Sequence, residues 1–143
     1  MLLADVNVFV YARRIESDRH QDYRAWLEDR LVDDEPFAVS ELVLSSFLRI
    51  VTSPRIYREP TSLDAALEFC EIILAAPATV PVRPGVRHWR IFTDLCSSGS
   101  AKASLVPDAY LAAMAIENGA TWITTDRGFS RFPNLRWKHP LFD

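Results

Sequence analysis

The chain has 143 residues, 49% hydrophobic and 24% charged, which fits one compact domain spanning 1–143 and excludes wholesale disorder. A formal net charge of −3 excludes a uniformly basic domain of the kind that grips nucleic acid through its phosphates. No apolar run approaches the ~18 residues of a membrane span, Met1–Asp5 lacks the basic start of a signal peptide, and Cys70 and Cys96 form neither a disulfide framework nor a zinc-ligand spacing, so a soluble, cytoplasmic protein is expected.

Leu2–Ala4 is a short apolar run ending at Asp5, the pattern of a buried strand. Val6–Arg14 extends it or begins a helix; propensity does not decide. From Asp18 to Leu31, apolar Tyr23, Ala25, Trp26, Leu27 and Leu31 recur at helical spacing, with Asp18 as the expected cap. Phe37–Val39 reads as a second buried strand, and Ser40 as the cap of a helix over Leu42–Val51. Pro60-Thr61 leads into a helix over Ser62–Ala75, stopped by Pro77.

Thr79–Val82 is a third strand, Val86–Leu95 a helix, and Cys96–Ser104 a small polar loop. Val106-Pro107-Asp108 leads into a helix over Ala109–Asn118 with Gly119 as its left-handed stop. Thr121–Thr124 is a fourth strand, Asp126-Arg127-Gly128 a turn, and Leu135–Lys138 an edge strand stopped by Pro140. Strands alternating with helices predict a three-layer α/β/α domain around a mainly parallel sheet.

In such a sheet the carboxyl ends of the strands share one edge, and ligands bind there at the switch point. Asp5 and Asp126 follow the first and fourth strands, Glu41 follows the second, and Asp108 opens the helix preceding the fourth. These four carboxylates are therefore expected in one crevice. Neighbouring carboxylates raise one another's pKa. A hard divalent cation removes that repulsion; Mg²⁺ typically takes one or two carboxylates with waters and phosphate oxygens, and activates a bound water. Metal-assisted phosphodiester hydrolysis suits the arrangement. Taken singly, Asp108 is an ordinary helix-start residue and Asp126 an ordinary turn residue. Asp5, amid Val6, Val8, Phe9 and Val10, needs a partner on either reading.

Asp5-Val6-Asn7, the run Val106–Ala113 (VPDAYLAA) and Thr125-Asp126-Arg127-Gly128-Phe129 resemble the PIN domain, most of all VapC-type ribonuclease toxins of toxin–antitoxin pairs. Ser40–Arg49, Thr52–Arg55 and the tail Arg131–Trp137 share the likeness, which thus covers nearly the whole chain. The resemblance implies that Asp5 and Asp108 bind Mg²⁺ or Mn²⁺, with Asp126 in the same pocket and Asn7 beside it. It also implies RNA hydrolysis by an activated water, a homodimer, and a VapB-type antitoxin over the acidic pocket. One departure stands out: many family members carry a glutamate where this chain has Ser46. Glu41 lies five residues earlier, about 140° around a helix, so it does not replace that side chain by sliding; it either reaches the pocket from the strand end or stands as an exposed first-turn glutamate favoured by the helix dipole.

All but Lys102 and Lys138 of the positive charges are arginines, and Arg13, Arg14, Arg49, Arg55, Arg58, Arg127 and Arg131 fall near the predicted catalytic edge. Arginine suits bidentate phosphate contact. His20, His88 and His139 have no nucleophile at useful spacing, and Trp26, Trp89, Trp122 and Trp137 are better core residues than base-stacking platforms. Two rival functions share this fold class. In a small-molecule phosphatase Asp5 would be the nucleophile, although Asn7 replaces the second aspartate such enzymes use. In a catalytically weak binding module, favoured by Ser46, the acidic pocket would clasp an arginine-bearing partner.

Overall fold

The structure, a computed structural model, describes residues 1–142. Its frame is a parallel five-stranded sheet in the order β3-β2-β1-β4-β5, with β1 at Leu2–Ala4, β2 at Phe37–Ser40, β3 at Thr79–Val82, β4 at Thr121–Ile123 and β5 at Trp137–Lys138. The shortest apolar run thus becomes the central strand. Leu3 pairs with Ala38 on one side and Trp122 on the other, and all three are buried. The edges are defended as edges must be: Pro81 sits in β3, where a missing N–H breaks no central ladder, and β5 is only two residues long.

The chain runs from β1 outward to β2 and β3, then returns across β1 to β4. Right-handed crossovers on opposite sides of β1 place their helices on opposite faces. Helices α1 (Val6–Arg13), α2 (His20–Leu31), α3 (Glu41–Val51) and α4 (Leu63–Ala75) pack in succession, α1 against α2 and α3, and α3 against α4. Helices α5 (His88–Ser98) and α6 (Leu105–Glu117) pack against each other, with α6 also on β4. The resulting α/β/α sandwich matches the expected class. Ala109, Ala112, Ala113 and Ala115 are fully buried, and their small side chains let α6 lie close to its neighbours.

Of the two readings open for Val6–Arg14, the helix is the one formed, over Val6–Arg13, because Asp5 turns the chain and caps it. Several local expectations are corrected. Helix α2 begins at His20 with left-handed Arg19 (φ 55°) at its cap position, so Asp18 is no cap; the Arg19 side chain instead pairs with Asp22 at 2.9 Å. Ser40 stands at the start of α3 but is held in β2 and makes no side-chain cap. Ser62 does cap α4, accepting from the Ala65 N–H at 3.2 Å. Cys96–Ser98 belong to the last turn of α5 rather than to a loop, and α6 starts at Leu105, four residues before the expected Ala109. Pro107 does not delay that start, because first-turn N–H groups have no partner in the helix to lose.

Gly119 ends α6 in the left-handed region (φ 62°) with open space around its Cβ direction. Gly119→Ala therefore meets backbone strain without a clash. Chemical denaturation should show a loss of about 1 kcal/mol with the fold unchanged.

Candidate active site

The order in which the chain adds strands reverses between β1 and β4, and in open α/β sheets that gap is where ligands sit. The Asp5 N–H donates to the Ile123 carbonyl at 2.8 Å, so the residue after β1 is still stitched to β4. Its side chain turns back over the start of α1, one carboxylate oxygen accepting from the Val6 N–H at 2.7 Å. The other oxygen accepts from the Thr124 hydroxyl, also at 2.7 Å. Asp5 is only 6% exposed, and Thr124 is fully buried.

Thr124 is the residue that sequence reasoning missed. Besides donating to Asp5, its hydroxyl accepts from the Asp126 N–H at 3.0 Å, so one oxygen ties the end of β1 to the turn after β4. The visible signal was a hydroxyl residue two positions before a turn aspartate, Thr124-Thr125-Asp126. Asp126 then caps a short 3₁₀ turn, Arg127–Arg131, by accepting from the Gly128 N–H at 2.7 Å. A Cβ at Gly128 would meet that carboxylate oxygen at 2.9 Å, so glycine is what lets Asp126 fold over the turn.

Asp108 comes from α6, half-buried in its first turn, where the helix dipole favours a negative charge. Burial pushes the Asp5 carboxyl above its ordinary value, against the Thr124 and Val6 hydrogen bonds, and the charges of Asp108 and Asp126 add to the rise. Asp108 is raised by burial and by Asp126, and drawn back by Arg131. The structure thus brings Asp5, Asp108 and Asp126 into one electrostatic site. Glu41 is not brought in. Its side chain is 65% exposed and bonds Arg83 at 2.9 Å, and its charge is felt by neither Asp5 nor Asp108. It occupies the first position of α3, where it meets Arg83, the residue that follows β3. Asn7 lies half-buried on the first turn of α1. Ser46 lines an apolar cavity of about 400 Å³ with Val6, Leu42, Pro107 and Tyr110, next to the residues that follow Asp5 and precede Asp108.

Among the described residues, no three of His, Cys, Asp and Glu stand together as a ready metal cage. Mg²⁺ needs none, since one or two carboxylates suffice when waters and phosphate oxygens complete its shell. Two carboxyls raised partly by a shared negative neighbour form the all-oxygen, excess-negative donor set that such a cation suits. Asp5 and Asp108 fit the role.

Fold and switch point together define a three-layer α/β domain with acidic side chains gathered at the carboxyl ends of its strands. The PIN domain model matches residues 2–135. Ribonuclease VapC43 of Mycobacterium tuberculosis is 50% identical over 141 residues, 99% of this chain and 96% of its own length. Ribonuclease VapC25 of the same organism is 39% identical over 98% of this chain and 99% of its own. Among solved structures, VapBC2 from Rickettsia felis bound to a promoter DNA fragment superposes with a TM-score of 0.71 at 20% identity, covering 96% of this chain and 97% of that one. The chain belongs to the PIN domain family, in its VapC branch.

Two outcomes test this site. Thr124→Val removes Asp5's donor and Asp126's acceptor and should cost about 1–3 kcal/mol in urea unfolding, while Thr124→Ser should cost little. Because the fold raises the Asp5 pKa, folding favours the protonated acid, and stability is lost as pH rises from the ordinary carboxylate value through the raised one. In metal-free buffer, Asp5→Asn should therefore gain stability relative to wild type as pH climbs from 4 to 7. A pH-independent difference between the two proteins contradicts the raised pKa.

Proposed function

We propose that the protein is a divalent-metal-dependent endoribonuclease, the toxin of a type II toxin–antitoxin pair. The observation carrying this reading is the convergence of Asp5, Asp108 and Asp126 at the switch point, in a chain half identical to a named ribonuclease over nearly its full length. Among the described residues no helix is long and apolar enough to cross a membrane.

Asp5 and Asp108 hold the ion, Mg²⁺ with Mn²⁺ as a substitute. The chemistry a bound divalent ion supplies is a water of lowered pKa and neutralisation of charge on the phosphoryl oxygen. The protein's own groups do the rest. Thr124 and the Val6 N–H fix the Asp5 carboxylate in one orientation, leaving lone pairs on both oxygens. Asp126 has one oxygen engaged by Gly128, and its second is the acceptor for the proton of the attacking water. Water adds to phosphorus, the ester P–O bond breaks, and the departing ribose oxygen takes a proton from solvent.

The burial of Asp5 and the bonds to both its oxygens weigh against its acting as a phosphatase nucleophile. Two partners belong to the same proposal: a VapB-type antitoxin, supported by VapBC complexes of the same fold, and a second copy of the chain in a homodimer.

The test is cleavage of RNA by wild type beside Asp5→Asn and Asp108→Asn, with and without Mg²⁺. Each substitution should lower cleavage at least 100-fold while far-UV circular dichroism stays native. Chelation should stop wild-type cleavage, and Mg²⁺ or Mn²⁺ should restore it. Full activity in Asp5→Asn, or turnover that survives chelation, removes the assignment.

A further inference from the structure

Many of the arginines are engaged by partners, whereas the side chains of Arg13, Arg49, Arg55, Arg58 and Arg127 join no hydrogen bond or ion pair among the described residues. Arg14 is held by Glu16, the Glu59 carbonyl, Thr61 and the face of Tyr57; Arg83 pairs with Glu41 and Arg90 with Asp94. Arg131 differs. Its Nε donates to the Gly128 carbonyl at 3.1 Å, bracing the side chain against the turn that Asp126 caps. Among the described residues, neither of its terminal Nη groups joins a hydrogen bond or an ion pair. Its positive charge nevertheless reaches Asp108, whose carboxyl it draws back down.

A guanidinium braced at Nε and free at both Nη groups presents a fixed pair of donors rather than a swinging chain. It stands on the same five-residue turn as the cap Asp126, so its position relative to the acids is set by local backbone. It forms no salt bridge with Asp108 and therefore remains available to an incoming anion. The anion that must approach this acidic site, on the ribonuclease reading, is a phosphate of RNA. Arginine matches that group with two parallel N–H···O bonds.

We infer that Arg131 is a phosphate contact of the substrate strand, holding an RNA phosphate beside Asp108 through its two Nη groups. The inference rests on the ribonuclease reading and assigns a positive subsite to a chain whose net charge is −3. Arg131 binds and positions the strand; the chemistry stays with the carboxylates.

The experiment measures the salt dependence of RNA binding by the Asp5→Asn protein, alone and combined with Arg131→Gln, Arg131→Lys or Arg90→Gln. Loss of one phosphate contact should flatten the slope of log K against log salt by about 0.7, the value for one charge on a single strand. Arg131→Gln should show that change and, with Asp5 intact, lower kcat/KM for cleavage about tenfold or more. Arg131→Lys should keep the slope yet cleave less than wild type, because the bidentate geometry is lost. Arg90→Gln, at an arginine already paired with Asp94, should leave the slope unaltered. An Arg131→Gln slope equal to that of Arg90→Gln overturns the inference, even if stability falls or binding to an antitoxin weakens. That result leaves the ribonuclease reading standing as long as Asp5→Asn abolishes cleavage. Failure of the Asp5→Asn protein to bind RNA at low salt overturns both.

Discussion

The hydroxyl of Thr124 between Asp5 and Asp126 is the contact on which the site depends. A carboxylate nearly sealed at the end of the central strand is costly unless its oxygens are hydrogen-bonded. Asp5 meets that demand with one backbone N–H and one buried hydroxyl. The hydroxyl has lone pairs to spare and accepts the Asp126 amide with one of them. The need to satisfy a buried acid thereby fixes the turn carrying the second one, and through Gly128 the arginine beyond it. Structure and chemistry share the same few atoms here.

The same economy explains why the site resists being read as a metal cage. Burial and mutual repulsion keep Asp5 and Asp108 less acidic than free carboxylates. A tightly closed ring of charges would destabilise a domain this small. Spreading the acids over β1, the first turn of α6 and the turn after β4 keeps the repulsion tolerable in the free protein. On the ribonuclease reading, a cation held by two of these acids would keep positions open for water and substrate oxygens. Placement at the switch point makes this dispersal possible, because each acid arrives on a different element.

Most of this was legible in the chain. Hydrophobic runs and Gly/Pro punctuation locate all five strands, and their alternation with helices gives the layered sheet. The places of Asp5 and Asp126 follow from strand ends, and that of Asp108 from the start of the helix before β4. What escaped was set by tertiary contact. Asp18 has the chemistry of a cap, but the backbone takes its left-handed turn at Arg19 and the helix starts later. Glu41 has the right position in sequence order, yet at the first residue of α3 it is exposed and meets Arg83. Thr124 looks like one more strand residue, since nothing local reveals that its hydroxyl lies beside an acid 119 positions away.

That separation bears on how the protein comes into being. The strand at residues 2–4 is the middle of the sheet, and one of its two neighbours is not made until residues 121–123. During synthesis the central strand must wait, half-paired, for almost the entire chain to emerge. Contacts of such long range form late and slowly. No nascent fragment lacking β4 can hold Asp5 in its bonded orientation or set Asp126 beside it. The order of strands thus ties assembly of the acidic centre to the emergence of nearly the whole chain.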